Sequence, residues 1–486
     1  MKKLLPIVFL FAALAGNAQN YATDSARIEE HFKRTDRILN ILREFRIQIY
    51  IQPEWQHADT AGAAGVQGGN FPSAANNRFI IRRGRFKLSW QHETVNKHGD
   101  SIKVGEFAFQ FDATEKGFNA LKDMYGRIID PWTGWFSIQA GITVRPFGWE
   151  SPASPSTYES PEFARMNQNI MPNECELGET FIVESPRKFK PVYLRLDAGV
   201  VNGEGIGNTG TGQSSVSTGA YQSAKDFVGR LMIGKSIEVN QDTRIKLMAS
   251  GSYYYGSVLQ TTNNVFEVVK NAETGLDTFK NVTTGTSDTL GKNKTDYHRK
   301  YYGAHLEIDF DYKMGAGAGT TALRGEFIAG TQPGQLSSTT VPLGAGTALP
   351  SADLYIRNFQ GYIVTVTQGF HYKAGSQMMN TDLTFKVDNY DPNTAVSGLK
   401  ITKGAGFSST DLAYTTLSGG VTFTPVPYCK LMLWYDHPIN ENSGVSGWSS
   451  DYKKDNVFTL RTQFMIDSWW FDKKSTTNSN LITRSY

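Results

Sequence analysis

Between Arg78 and Asp112 apolar and polar side chains alternate with a period of two. Phe86, Leu88 and Trp90 fall on one side of an extended segment, and Arg83, Arg85, Lys87 and Ser89 fall on the other. After a polar turn, Phe107, Phe109 and Phe111 oppose Glu106, Ala108, Gln110 and Asp112. The pattern returns near the middle of the chain, where Val192, Leu194, Leu196, Ala198 and Val200 oppose Tyr193, Arg195, Asp197 and Gly199. It returns again near the end, where Phe458, Leu460, Phe464 and Ile466 oppose Thr459, Arg461 and Gln463. A soluble sandwich would bury the apolar face, whereas an outer-membrane barrel would turn it to lipid and line a wet lumen with the charged one.

Read this way, the chain predicts extended segments at 45–56, 78–92, 104–114, 119–130, 134–145, 178–185, 191–201, 224–237, 243–256, 297–313, 321–331, 356–373, 378–390, 411–424, 428–440 and 453–467. That is about sixteen, an even number, as a closed single-chain barrel requires. The connections alternate in length. Those assigned to one end (57–77, 146–177, 202–223, 257–296, 332–355, 391–410 and 441–452) are long and rich in Gly, Ser, Thr and Asn, with 115–118 the short exception. Those assigned to the other end (93–103, 131–133, 186–190, 238–242, 314–320, 374–377 and 425–427) are short. Long outer loops alternating with short periplasmic turns fit an up-and-down transmembrane β-barrel, and a sandwich has no reason to keep this parity.

Composition supports the same class. The chain is polar on average, with a mean hydropathy of -0.37, yet 12% of its 486 residues are aromatic and 47 are glycine. A barrel needs only alternate residues to be apolar. A net charge of +3 argues against a nucleic-acid partner, and two cysteines imply no disulfide scaffold. Residues 1–18 read as a secretory signal peptide: Lys2 and Lys3, an apolar run, then Gly16-Asn17-Ala18. No later run of about 18 apolar residues suggests a transmembrane helix. Residues 19–44 are expected to form a periplasmic segment with a short helix (Ile28, Phe32, Leu39 and Leu42 recur at helical spacing), 45–467 the barrel and 468–486 a tail.

Catalytic signatures such as GxSxG, HExxH, CxxC or a Walker loop do not occur, and eight histidines are scattered, so neither enzyme activity nor a cofactor or metal is expected. Asp388, Asp391 and Asn393 have the look of a cation site, but Pro392 among them reads better as a turn.

Particular words carry a resemblance. RRGRFKL (82–88), GEFAFQFD (105–112), LKDMYGRI (121–128), GITVRPFGWESPASPSTYESPEFARM (141–166), DAGVVNGEG (197–205), DNYDPNT (388–394) and the closing strand resemble, in that order, the phosphate-selective O/P porins in their Bacteroidetes form. The resemblance implies a sixteen-stranded outer-membrane porin, commonly a homotrimer, that passes small anions by diffusion past an inward-folded third loop.

On that basis the inward basic residues Arg83, Arg85, Lys87, Arg195, Arg230, Arg324, Lys386 and Arg461 are candidates to line the pore and guide anions. Pairing with wall acids such as Glu106 or Asp112 is the structural alternative. The segment 146–177 stands where the resemblance places the constriction loop. It carries Arg165, preceded by Arg145, against Glu150, Glu159, Glu162, Glu174 and Glu176, a net charge of −4 that departs from a basic eyelet. Two functions are therefore open: a passive channel for small hydrophilic solutes, with phosphate or other anions preferred, or a surface-binding or structural barrel with a plugged lumen.

Overall fold

The structure is a computed structural model that describes residues 34–35, 43–63, 69–95, 99, 101–115, 117–171, 174–186, 192–203, 225–260, 264–282, 295–315, 317–339, 352–375, 377–448 and 455–468. The expected signal peptide, most of the 19–44 segment and the tail beyond Ser468 lie outside these residues. The chain divides into a unit at 1–45, of which Arg34, Thr35 and Arg43 are helical, and a second unit at 46–486.

Among the described residues eighteen strands form one sheet. In chain order they are β1 (Phe45–Ala58), β2 (Asn77–Val95), β3 (Ser101–Thr114), β4 (Gly117–Ile129), β5 (Phe136–Val144), β6 (Cys175–Glu184), β7 (Val192–Val201), β8 (Asp226–Asn240) and β9 (Thr243–Gln260). They continue as β10 (Val265–Lys270), β11 (Asp277–Asn281), β12 (Thr295–Met314), β13 (Gly317–Gly334), β14 (Leu354–Ala374), β15 (Gln377–Asp391), β16 (Tyr414–Val426), β17 (Cys429–Asn440) and β18 (Val457–Asp467).

Sixteen of them make the wall: β1–β9 and β12–β18. β1 pairs antiparallel with β18, from Gln48↔Asp467 to Ala58↔Val457, and this closes the cylinder. β9 pairs directly with β12, so β10 and β11 stand outside the wall as a hairpin. This corrects the reading of 257–296 as a plain loop. The two strands are only six and five residues long, too short for a period to stand out, and they are held by distant partners. β10 pairs in parallel with the start of β14, and Phe279 packs on Tyr355 and Phe407.

The expected alternation of connections is present. Eight long-loop-end connections (59–76, 115–116, 145–174, 202–225, 261–294, 335–353, 392–413 and 441–456) interleave with seven turns (96–100, 130–135, 185–191, 241–242, 315–316, 375–376 and 427–428). The two faces of the wall are segregated. Ile47, Ile49, Ile51, Phe107, Leu196, Leu231, Leu306, Phe327, Val364, Phe385, Leu433 and Leu460 are exposed on the outside, while Arg83, Arg85, Asp197, Glu307, Arg324, Lys386 and Arg461 are buried within the barrel. Charge must be kept off the lipid face, because an Arg or Lys at the bilayer midplane costs roughly 2–4 kcal/mol there. The chain is thus a closed transmembrane antiparallel barrel of sixteen strands.

Candidate functional site

The third outer connection, residues 145–174, leaves β5 and turns into the barrel. Its prolines at 146, 152, 155 and 161 deny it a strand ladder. Gly148 takes φ +69 where a Cβ would run into the Glu326 carboxylate, so the backbone can press against the wall there. Glu150 then fixes the far end of the bend: its Oε2 accepts from the Ala164 amide (2.7 Å) and from Asn167 Nδ2 (2.9 Å) at the start of the short helix α1 (Arg165–Ile170).

The apolar side chains of this loop have a matching seat. Phe147, Ala164, Met166, Ile170 and Met171 pack into one buried cluster with inward residues of β7 to β9 and β12 to β16. Its spine is a row of aromatic rings around the inner wall, Tyr254, Tyr301, Phe359, Tyr390 and Tyr414, with neighbouring centroids 5.2, 5.3, 5.9 and 5.6 Å apart. Gly361 lets α1 approach, since a Cβ there would strike Met166 Sδ. Sequence reading missed this row, because Tyr254 and Tyr301 sit inside runs (YYY, YY) that are aromatic on both faces.

The carboxylates of the loop are paired with cations of the wall. Glu162 accepts from Arg83 through both oxygens (2.6 and 2.7 Å), from Arg461 (2.9 Å) and from Arg82 Nη2 (3.1 Å). Glu150 holds Lys386 at 2.5 Å. Glu159 pairs with Arg324, which also binds Glu307 (2.9 Å) and Asp309 (2.8 Å). Glu174 takes Arg85 (3.4 Å) and Lys122 (3.3 Å), and Glu176 faces Arg145 (3.8 Å). Burial would raise the Glu162 carboxyl, but Arg82, Arg83 and Arg461 outweigh it and hold the group well below the usual carboxylate range. Glu174 is likewise desolvated, yet Lys122 and Arg85 bring it down to about 2.

The eight predicted wall cations therefore divide. Arg83, Arg85, Arg324, Lys386 and Arg461 reach loop carboxylates, and Arg230 donates to the Gly148 carbonyl at 3.0 Å while pairing with Asp197 at 3.1 Å. Arg195 binds Asp197 (2.9 Å), and Lys87 binds Asp123 (3.1 Å). Of the two acids named as alternative partners, Asp112 does bind Arg85, at 3.2 Å, whereas Glu106 is taken by Lys103 and Tyr125. Arg145 and Arg165 do not form a pair: Arg145 lies by Glu176 and the Tyr254 ring, and Arg165 stacks 3.6 Å over Tyr414.

Sequence reading also missed Arg82 and Glu54 (bound to Arg461). Strict alternation cannot send both Arg82 and Arg83 inward, yet both reach Glu162. Asp388 lies within β15, and the chain turns only after Asp391, whose Oδ1 accepts from the Asn393 amide at 3.0 Å. Among the described residues no three His, Cys, Asp or Glu side chains gather as metal ligands would.

Together these contacts tie the loop to β1, β2, β8, β9, β12, β13 and β15–β18, with Gln52 and Lys430 adding bonds to the Pro155 and Ser156 carbonyls. The arrangement narrows the lumen with a fixed, charge-matched partition.

No protein-family model matches the chain, and no curated protein matches it. Solved structures do resemble it. OprB of Pseudomonas putida is 9% identical, with 88% of this chain and 96% of that one covered and a TM-score of 0.48. The outer-membrane protein OmpT of Vibrio cholerae in its trimer form is 11% identical, over 87% and 99%, with a TM-score of 0.43. The anion-selective porin of Comamonas acidovorans is 9% identical, over 87% and 99%, with a TM-score of 0.39. At such identities the likeness concerns the barrel architecture alone.

Proposed function

We propose that the protein is an outer-membrane porin, carried across the inner membrane by its first 18 residues, through which small hydrophilic solutes diffuse. The observation that carries this reading is the segregation of the wall: an apolar band outside, and an ionic lining inside into which the third loop folds. Lumen charges replace part of a solute's hydration and bias its sign, with no chemical step and no energy input.

An anion preference, including phosphate, and assembly as a homotrimer are what the resemblance to the O/P porins adds. One feature of the lining favours anions although acids and bases are matched: in many inner pairs the cation is the partner that meets water. Lys87 is 27% exposed against 11% for Asp123, and Arg195 18% against 1% for Asp197; Arg244 and Lys246 likewise overlie Asp311. The Arg127–Glu184, Arg195–Glu184, Arg85, Arg324–Glu159, Arg324–Asp309 and Lys386–Glu150 pairs run the other way. Reversal potentials of the reconstituted protein in a salt gradient test the preference. Anion selectivity is expected, and cation selectivity would refute it.

A second reading, a barrel with a closed lumen that works through its outer loops, is favoured by the ion pairing of the third loop's glutamates to the wall. It predicts no conductance from pure protein, and binding of an outside partner that disappears when residues 261–294 are shortened.

A further inference from the structure

The outward row of β12 fixes the height of the membrane on the wall. Tyr302, Leu306 and Phe310 are exposed along it, and Tyr312 packs on Phe310 with centroids 5.4 Å apart. At about 3.3 Å per residue and a tilt of about 40°, the stretch from Tyr302 to Tyr312 rises about 25 Å. That is the height of a barrel's apolar band, with an aromatic ring at each border. Tyr253 of β9 lies 5.2 Å from Tyr302 and marks the upper border on the neighbouring strand. The long connection 261–294 leaves from this end, the outer one in barrels inserted from the periplasm.

Lys300 is the next outward residue above Tyr302, about 5 Å higher by the same geometry. It is exposed and has no hydrogen bond or ion pair among the described residues. The residues opposite it, Tyr255 on β9 and Thr331 on β13, carry no charge. Its Nζ stands 5.9 Å from the centre of the Tyr255 ring, and His298 packs on the same ring at 4.8 Å. His298 Nδ1 and Ser257 Oγ are hydrogen-bonded at 3.2 Å, which leaves the imidazole Nε2 and the Tyr255 hydroxyl without a partner among the described residues. We propose that this face of the outer rim binds the phosphate headgroup of an outer-leaflet lipid. Lysine is a point-charge donor suited to phosphate, and the imidazole and phenol add hydrogen bonds beside it. The exposed row from Tyr302 to Phe310 runs down from the cation and receives the acyl chains, which free phosphate lacks. This rests on the outer-membrane location, and neither on conduction nor on self-association.

The test is native mass spectrometry of the detergent-purified full-length protein, titrated with dioleoylphosphatidic acid and, separately, with dioleoylphosphatidylcholine. Phosphatidic acid should bind more tightly. Lys300→Gln should weaken its binding about fivefold, the equivalent of ~1 kcal/mol for one lysine at an anionic lipid surface. Tyr255→Phe should weaken it as well, and neither variant should change binding of the choline lipid. Lys270→Gln removes an exposed charge from the outer hairpin and should leave phosphatidic acid binding as it is. Heat-dependent gel mobility shows that each variant is a folded barrel. Equal binding of the two lipids, a Lys300→Gln protein that binds phosphatidic acid like the wild type, an equal loss in Lys270→Gln, or full displacement of the lipid by millimolar inorganic phosphate would each overturn the proposal.

Discussion

Arg83 on β2 grips Glu162 of the third loop with two parallel hydrogen bonds of 2.6 and 2.7 Å, joining residues 79 apart in sequence inside the barrel. Paired, bidentate and buried, this contact is strong because the guanidinium matches the carboxylate fork and neither group can turn to water. Glu162 also neutralises Arg82 and Arg461. Replacing it with Gln takes the carboxylate from buried Arg83 and half-buried Arg82 and leaves Arg461 with Glu54 alone. Removing one partner of such a group costs about 3–5 kcal/mol. Glu162→Gln is expected to lower the urea midpoint of the purified barrel and to raise single-channel conductance as the loop loosens.

Acid should release the same loop. The Glu162 and Glu174 carboxyls are held below their ordinary range in the folded protein, Glu174 at about 2. Depressed groups of this kind stabilise the fold fully above the ordinary carboxylate pKa of about 4, and that contribution is lost as pH falls through the folded values. The part of the loop's hold that these two carboxylates supply should therefore survive down to about pH 4 and be lost only as pH drops toward 2, read as a change in conductance. A transition centred near neutrality would show that other groups hold the loop.

Phe147 anchors the apolar side of the loop, 1% exposed and edge-on to Tyr254 and Tyr301 at 6.3 and 6.0 Å. Phe147→Ala should cost roughly 3–5 kcal/mol of unfolding free energy. It should also make residues 145–174 newly sensitive to protease, whereas a change at an exposed outer position such as Leu433→Ala should not.

Gly148 has a left-handed backbone pressed on Glu326. Gly148→Ala adds strain of about 1–3 kcal/mol and displaces the bond from Arg230 to the Gly148 carbonyl. Altered conductance with an unchanged far-ultraviolet β spectrum is the expected result.

Much of this was legible in the sequence, for a physical reason. Along 192–201 or 457–467 each residue meets either lipid or lumen, so the pattern is written locally, two residues at a time. The place of the third loop was legible from its length and prolines. Its partners were not: Glu162 finds Arg461 299 residues away, and Glu150 finds Lys386 at a separation of 236. Closure of the cylinder alone brings these together. The same holds for the aromatic row under the loop and for the β10–β11 hairpin, whose neighbours lie on distant strands. Arg82 escaped because the alternation fails between it and Arg83.

The most direct test of the central claim is the single-channel current of the purified protein in planar lipid bilayers. Discrete conductance steps that persist in pure protein and carry anions ahead of cations are predicted. Membranes that stay silent after verified insertion of folded barrels would contradict a diffusion channel.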